Sequence, residues 1–132
     1  NSQIDKNVFI ALIDTMSKGN AKHRDGVSYG VTAMPLFVAK DIWYTIYPND
    51  IYNPKYLYRP DVNIELSVHY ISSLTKALDG DLEKALAIYV GYSGDTKRIM
   101  KQIDTYLKTN TGKSLNYYNE LSIKQHNTRK LE

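Results

Sequence analysis

The sequence predicts one mainly α-helical (all-α) domain, and three observations carry that expectation. The chain has 132 residues, 42% of them hydrophobic and 23% charged, which suits one ordinary globular domain with a single core. Apolar residues recur at three- and four-residue steps along most of it, the spacing of amphipathic helices. Gly19, Gly80, Gly94 and Gly112, with Pro48, Pro54 and Pro60, fall where those periodic stretches end.

The elements follow in order. Ile4, Val8 and Leu12, with Phe9, Ile13 and Met16, mark a first helix over residues 4–16 that stops near Gly19. Residues 20–29 are polar and contain Gly26, so they read as a loop, leading into a short extended segment near 27–33. Met34-Pro35 opens a second helix, because proline at a first helical position forfeits no useful donor. Leu36, Phe37, Ile42 and Trp43 carry it to about Ile46. Residues 44–58 hold five tyrosines and two prolines and read as a long exposed connection. Asp61 is the expected N-cap of a third helix, whose face is Ile64, Val68, Ile71, Leu74 and Leu78, ended by Gly80. Asp81 caps a fourth, with Leu82, Leu86, Tyr89 and Val90 inward, and Asp95 starts a fifth on Ile99, Ile103, Tyr106 and Leu107. After the break at residues 110–112, Leu115, Tyr118 and Leu121 suggest a last, weaker helix.

Composition excludes several functions. Seventeen Lys and Arg against fourteen Asp and Glu leave a net charge of +3, too mild to argue for nucleic acid. Lys97, Arg98, Lys101 and Lys108 read as the solvated face of the fifth helix rather than a basic stripe. No cysteine means no disulfide scaffold, no thiol catalysis and no cysteine zinc site. His23, His69 and His126 are scattered without metal-ligand spacing, so no metal and no cofactor is expected. Neither a phosphate-cradling glycine loop nor a Gly-x-Ser-x-Gly elbow occurs. The longest apolar run, residues 8–13, is far too short for a transmembrane helix or a signal-peptide core. Because the chain opens on Asn1, it reads as trimmed, with any targeting segment missing, and Leu131-Glu132 reads as a vector-derived tail. Twelve tyrosines beside one Trp and two Phe favour rings with a polar handle, suited to wet clefts and sugar faces.

Four segments, in order, carry a resemblance to the lytic transglycosylase (SLT, lysozyme-like) family. Ala11-Leu12-Ile13-Asp14-Thr15-Met16-Ser17 resembles the family's first core helix, written Ala, two aliphatics, two variable residues, Glu-Ser. Residues 26–35 resemble Gly-Ala-x-Gly-Leu-Met-Gln-x-Met-Pro. Pro60-Asp61-Val62-Asn63-Ile64, followed by Ser67 and Tyr70-Ile71, is similar to Asp-Pro-x-x-Asn-Ile and the helix after it. Residues 80–89, continuing to Gly94, resemble the Ala-Ala-Tyr-Asn-Ala-Gly helix and turn. Together they span roughly residues 8–95.

The resemblance implies a single lysozyme-like domain over residues 1–132, with a cleft between the first helix and the Tyr89 segment. It also implies a peptidoglycan glycan strand or muropeptide as partner, with an envelope protein as the further candidate, and a cell-envelope or periplasmic location. The family's reaction cleaves the β-1,4 bond after N-acetylmuramic acid and leaves a 1,6-anhydro end. One glutamic acid protonates the leaving oxygen and then accepts a proton from the sugar hydroxyl, which needs a carboxyl group in a poorly solvated cleft.

At the matching position this chain has Met16, whose thioether can do neither. The family's Gln falls on Thr32 and its Asn on Val90, while Ser17, Met34 and Tyr89 remain as cleft residues, with Tyr44 and Tyr47 as candidate sugar contacts. Sliding the alignment by two residues places Asp14 at the acid position. On a helix, however, Met16 lies about 40° from Leu12 and Asp14 about 160° away, which turns Asp14 toward water if Leu12 is inside. Asp25 in the loop is a remoter acid. The expectation is therefore a family-like protein with impaired catalysis, against an active enzyme using Asp14 or Asp25, or a helical protein-interaction domain that binds no glycan. Beside these, Met16 and Tyr89 read equally as core residues, and most of the tyrosines as packing for the long connection.

Overall fold

The computed structural model describes residues 4–131. Asn1 and Glu132, to which the expectations about the chain's ends refer, lie outside them. Its elements are α1 (Lys6–Ser17), β1 (Arg24–Asp25), β2 (Ser28–Tyr29), β3 (Met34–Pro35), α2 (Leu36–Ile46), a 3-10 helix (Pro54–Tyr58), α3 (Pro60–Ala77), α4 (Leu82–Gly91), α5 (Thr96–Thr111) and α6 (Leu115–Lys130). The protein is mainly α, with one small antiparallel sheet in the order β1-β2-β3.

Side chains close most of the helix starts. Asp5 accepts from Asn7 N at 2.8 Å, Asp81 from Lys84 N at 3.1 Å, Asp95 from Arg98 N at 3.1 Å and Ser114 from Tyr117 N at 3.2 Å. Asp104 reaches across from α5 to take Leu115 N at 2.8 Å, giving α6 a second cap. α5 ends on Gly112 in the left-handed region, at φ +73°.

α5 lies along α1, and α4 lies against α3, α5 and α6. The core runs through the middle, where Val8, Leu12, Leu66, Ile71, Leu86, Ile103 and Leu107 are fully buried. On α1, α4 and α5 these are inward positions that three- and four-residue spacing selects. On α3 the expected face is corrected: of Ile64, Val68, Ile71, Leu74 and Leu78 only Ile71 is buried, and the inward row is Val62, Asn63, Leu66, Ser67, Ile71 and Thr75, whose polar members break the apolar pattern. Ile4 and Met16 are only partly buried and pack against its edge.

Four local expectations are corrected. Arg24–Asp25, read as loop, forms an edge strand, and Met34–Pro35, read as a helix start, is the third strand, with Pro35 serving as the α2 N-cap. Two-residue strands are too short to show a period of two. The extended segment at 27–33 is thus a strand followed by a tight turn. The connection after α2 contains a 3-10 helix beginning at Pro54, its first turn held by Asn53 Oδ1 accepting from Lys55 N at 2.9 Å. Asp61 does not cap α3: Arg59 is the N-cap residue, Pro60 occupies the first turn, and the Asp61 carboxylate pairs with Arg59 at 3.3 Å. The weaker last helix, α6, runs 16 residues, its two caps and its packing against α4 supporting a sequence of weak amphipathicity.

Candidate functional site

The turn between β2 and β3 is the centre of the candidate site. Gly30 adopts φ +82° and Ala33 φ +51°, which folds residues 30–33 inward instead of out to solvent. Thr32, Ala33 and Met34 are fully buried as a result. A Cβ on Gly30 would lie 2.1 Å from the Leu57 carbonyl oxygen and 2.2 Å from Asn63 Nδ2, so only glycine fits.

Asn63, on the first turn of α3 and fully buried, satisfies this turn on both sides. Its Oδ1 accepts from Thr32 N at 2.9 Å and from the Thr32 hydroxyl at 2.5 Å. Its Nδ2 donates to Tyr29 O at 2.8 Å and to Leu57 O at 2.9 Å. All four capacities of the amide are used. Since the Thr32 hydroxyl gives its single proton to Asn63, its contact with the Tyr89 hydroxyl at 3.0 Å makes tyrosine the donor there. The Tyr89 hydroxyl also lies 3.6 Å from Met34 Sδ. Burial raises the Tyr89 hydroxyl far above its ordinary pKa, against the lowering effect of its bonds to Thr32 and Ser67. It is a fixed neutral donor and not a proton-transfer group. Its neighbour Tyr70, ring centroids 6.0 Å apart, is pushed up to about 12, by burial first and then by its bond with Tyr92.

The end of α1 is tied to the same turn. Ser17 Oγ donates to Val31 O at 2.7 Å, with Ile13 O also within 3.1 Å, and accepts from Gly19 N at 3.1 Å. Met16 precedes it, half-buried against the core. The structure therefore brings together Ser17, Thr32, Met34 and Tyr89, with Met16 beside them in the chain. Thr32, Met34, Tyr89 and Val90 are 0% exposed, so they are packed interior and support the site from below instead of offering a surface to a ligand. Asp14 is half-buried on α1, and Asp25 is exposed in β1, paired in register with Ser28. They are the only carboxylates of the predicted set.

The predicted sugar contacts serve the long connection. Trp43 is packed by Tyr47, Tyr52 and Tyr56, at centroid distances of 4.7, 6.2 and 5.0 Å, and its Nε1 donates to Asp50 O at 2.8 Å. Tyr44 is partly exposed, but its hydroxyl accepts from Tyr52 N at 3.0 Å. The Tyr47 hydroxyl donates to Glu65 Oε1, and this bond first, then burial and the Glu65 charge, raises its pKa. Asn63 and Ser67 are the site residues that sequence reasoning quoted only as motif letters. They are polar side chains on the inward face of α3, five and one residues before Val68.

A groove of about 890 Å³ lies elsewhere, between α3 and α6, lined by none of the Met16 set. Among the described residues no group of three His, Asp or Glu could hold a metal ion, and no helix is long and apolar enough to cross a membrane. Against family models, curated proteins and solved structures, the chain has no match.

Proposed function

We propose that this is a peptidoglycan-directed, lysozyme-like module of the bacterial cell envelope that binds glycan and is impaired in cleaving it. One observation carries the reading: the four segments that resemble the lytic transglycosylase motifs, far apart in sequence, meet in one hydrogen-bonded network. Ser17 comes from the first, Val31, Thr32 and Met34 from the second, Asn63 and Ser67 from the third, and Tyr89 from the fourth. That convergence is what a shared scaffold would produce, and it is the support for the reading. At the position where the resemblance expects a carboxyl group to move protons stands the Met16 thioether, and the Thr32 and Tyr89 hydroxyls of the network are buried and already bonded.

The test is incubation with purified sacculi, with mass spectrometry of the soluble products and co-sedimentation of the protein. The expected result is binding to sacculi without 1,6-anhydro products, and appearance of those products with Met16→Glu. Products released by the parent protein and lost in Asp14→Asn or Asp25→Asn would replace this reading with that of an active enzyme using an unusual acid. Absence of binding to sacculi by the folded protein would overturn the glycan reading.

A further inference from the structure

The groove between α3 and α6 has a composition of its own. On α3, Glu65, His69 and Lys76 fall at steps of four and seven residues and share one face, with Val68 beside them. The opposite wall is α6, through His126, Arg129 and Lys130. Gly80, buried at φ +89°, lets the α3–α4 turn press against α6: a Cβ there would lie 2.7 Å from His126 Cβ and 2.9 Å from Ile123 Cα. That close approach fixes one end of the groove, and Asp79 at the same turn lies 3.6 Å from His126 Nε2 and 3.7 Å from Lys130 Nζ.

The two ends differ in charge. At the Gly80 end stand Lys76, Arg129 and Lys130; Asp79 pairs with Lys130, and among the described residues neither Lys76 nor Arg129 has an ion pair. At the other end stands Glu65, exposed, whose Oε1 takes the Tyr47 hydroxyl, next to the apolar Ile46. Eleven residues of helix separate Glu65 from Lys76, about 16 Å. Between them, Ser73 gives its proton to His69 O at 2.9 Å, which keeps its lone pairs for an incoming N–H. His126 Nε2 is enclosed at the groove wall and has no hydrogen-bond partner among the described residues.

A wholly anionic polymer would meet Glu65, and a neutral glycan would leave both charged ends unused. An extended peptide advances about 3.3 Å per residue, so five residues span the same 16 Å. We propose that the groove binds a short extended peptide of about five residues with free ends, its terminal carboxylate held by Lys76 and Arg129 and its amino group by Glu65. This inference is independent of the glycan reading.

The experiment titrates the folded protein with the peptide Ala-Ser-Ala-Ser-Ala, followed by backbone amide NMR shifts. Three forms are compared: free at both ends, amidated at the carboxyl end, and acetylated at the amino end. The expected result is saturable shifts on α3 and α6, with each blocked end weakening binding about two- to fivefold, as partly exposed charge pairs do. Glu65→Gln should weaken the free peptide and leave the acetylated one unchanged. Lys76→Gln combined with Arg129→Gln should do the same for the carboxylate and its amide; these side chains are exposed, so the variants fold. Absence of saturable shifts up to about 10 mM peptide, far above a usable affinity, overturns the proposal. So do equal affinities for the three forms, or tighter binding to anionic phospholipid vesicles that depends on Lys76 and Arg129.

Discussion

Replacing Asn63 with alanine removes a side chain of which no part is exposed and which makes four hydrogen bonds at 2.5–2.9 Å. The loss strands the Thr32 N–H, the Thr32 hydroxyl and the Tyr29 and Leu57 carbonyls in the interior. Each buried unpaired group costs about 1–3 kcal/mol. The Thr32 hydroxyl can rotate toward other acceptors, and the cavity left is small, so the total expected is about 3–5 kcal/mol rather than the full sum. For a domain of this size that lowers Tm by roughly 10–20 °C. Urea unfolding is read by the fluorescence of Trp43, the chain's single tryptophan, 8% exposed. Asn63→Asp is the sharper partner. It keeps the acceptor for Thr32 but turns an oxygen toward the Tyr29 and Leu57 carbonyls, so it should be no more stable than alanine. If Asn63→Ala loses less than about 1 kcal/mol, or if Asp is tolerated, then the buried turn is not held by this amide and the network has no structural weight.

The other predictions concern separate contacts. Gly30→Ala should cost at least about 3 kcal/mol in the same urea assay, because it meets a backbone carbonyl and a fixed amide at positive φ, whereas Gly112→Ala, with nothing within 4 Å, should cost only about 1 kcal/mol. Tyr89→Phe removes the donor to Thr32 and should cost about 1–2 kcal/mol with no change in fold by circular dichroism. Asp104 bears on acid stability: burial raises its pKa, but the Leu115 N–H and the Lys108 ammonium at 2.9 Å outweigh that and hold it below the usual range. A depressed folded-state pKa stabilises above the unfolded value of about 3.9 and loses that contribution as pH falls through the folded value. Asp104→Asn should therefore be less stable than the parent near pH 7, by about 1 kcal/mol, with the gap closing below about pH 4 in thermal melts.

Much of the fold could be read locally. The inward rows of α1, α4 and α5 show in their spacing, and Asp81, Asp95 and Gly112 end or begin helices as their chemistry demands, because a cap acts on groups three or four residues away. The row of α3 does not, because Asn63, Ser67 and Thr75 are polar residues on its buried face. Asp61 misled because a proline one residue earlier took the first turn and left Arg59 as the cap. The sheet stayed hidden because its strands are two residues long, and α6 looked weak because its support comes from Asp104 and from α4.

At the site, the sequence alone determined chemical identity: a thioether at Met16, and Thr32, Asn63 and Tyr89 as neutral polar groups. Only the tertiary structure decided that Asn63 and Thr32, 31 residues apart, and Thr32 and Tyr89, 57 apart, share one buried network, and that Thr32, Met34, Tyr89 and Val90 lie beneath the surface. It also decided that Glu65 and Arg129 line one groove. The reason is range: helix periodicity and capping are set by neighbours within a turn, whereas burial of a polar side chain depends on which distant groups the packed core brings to meet it.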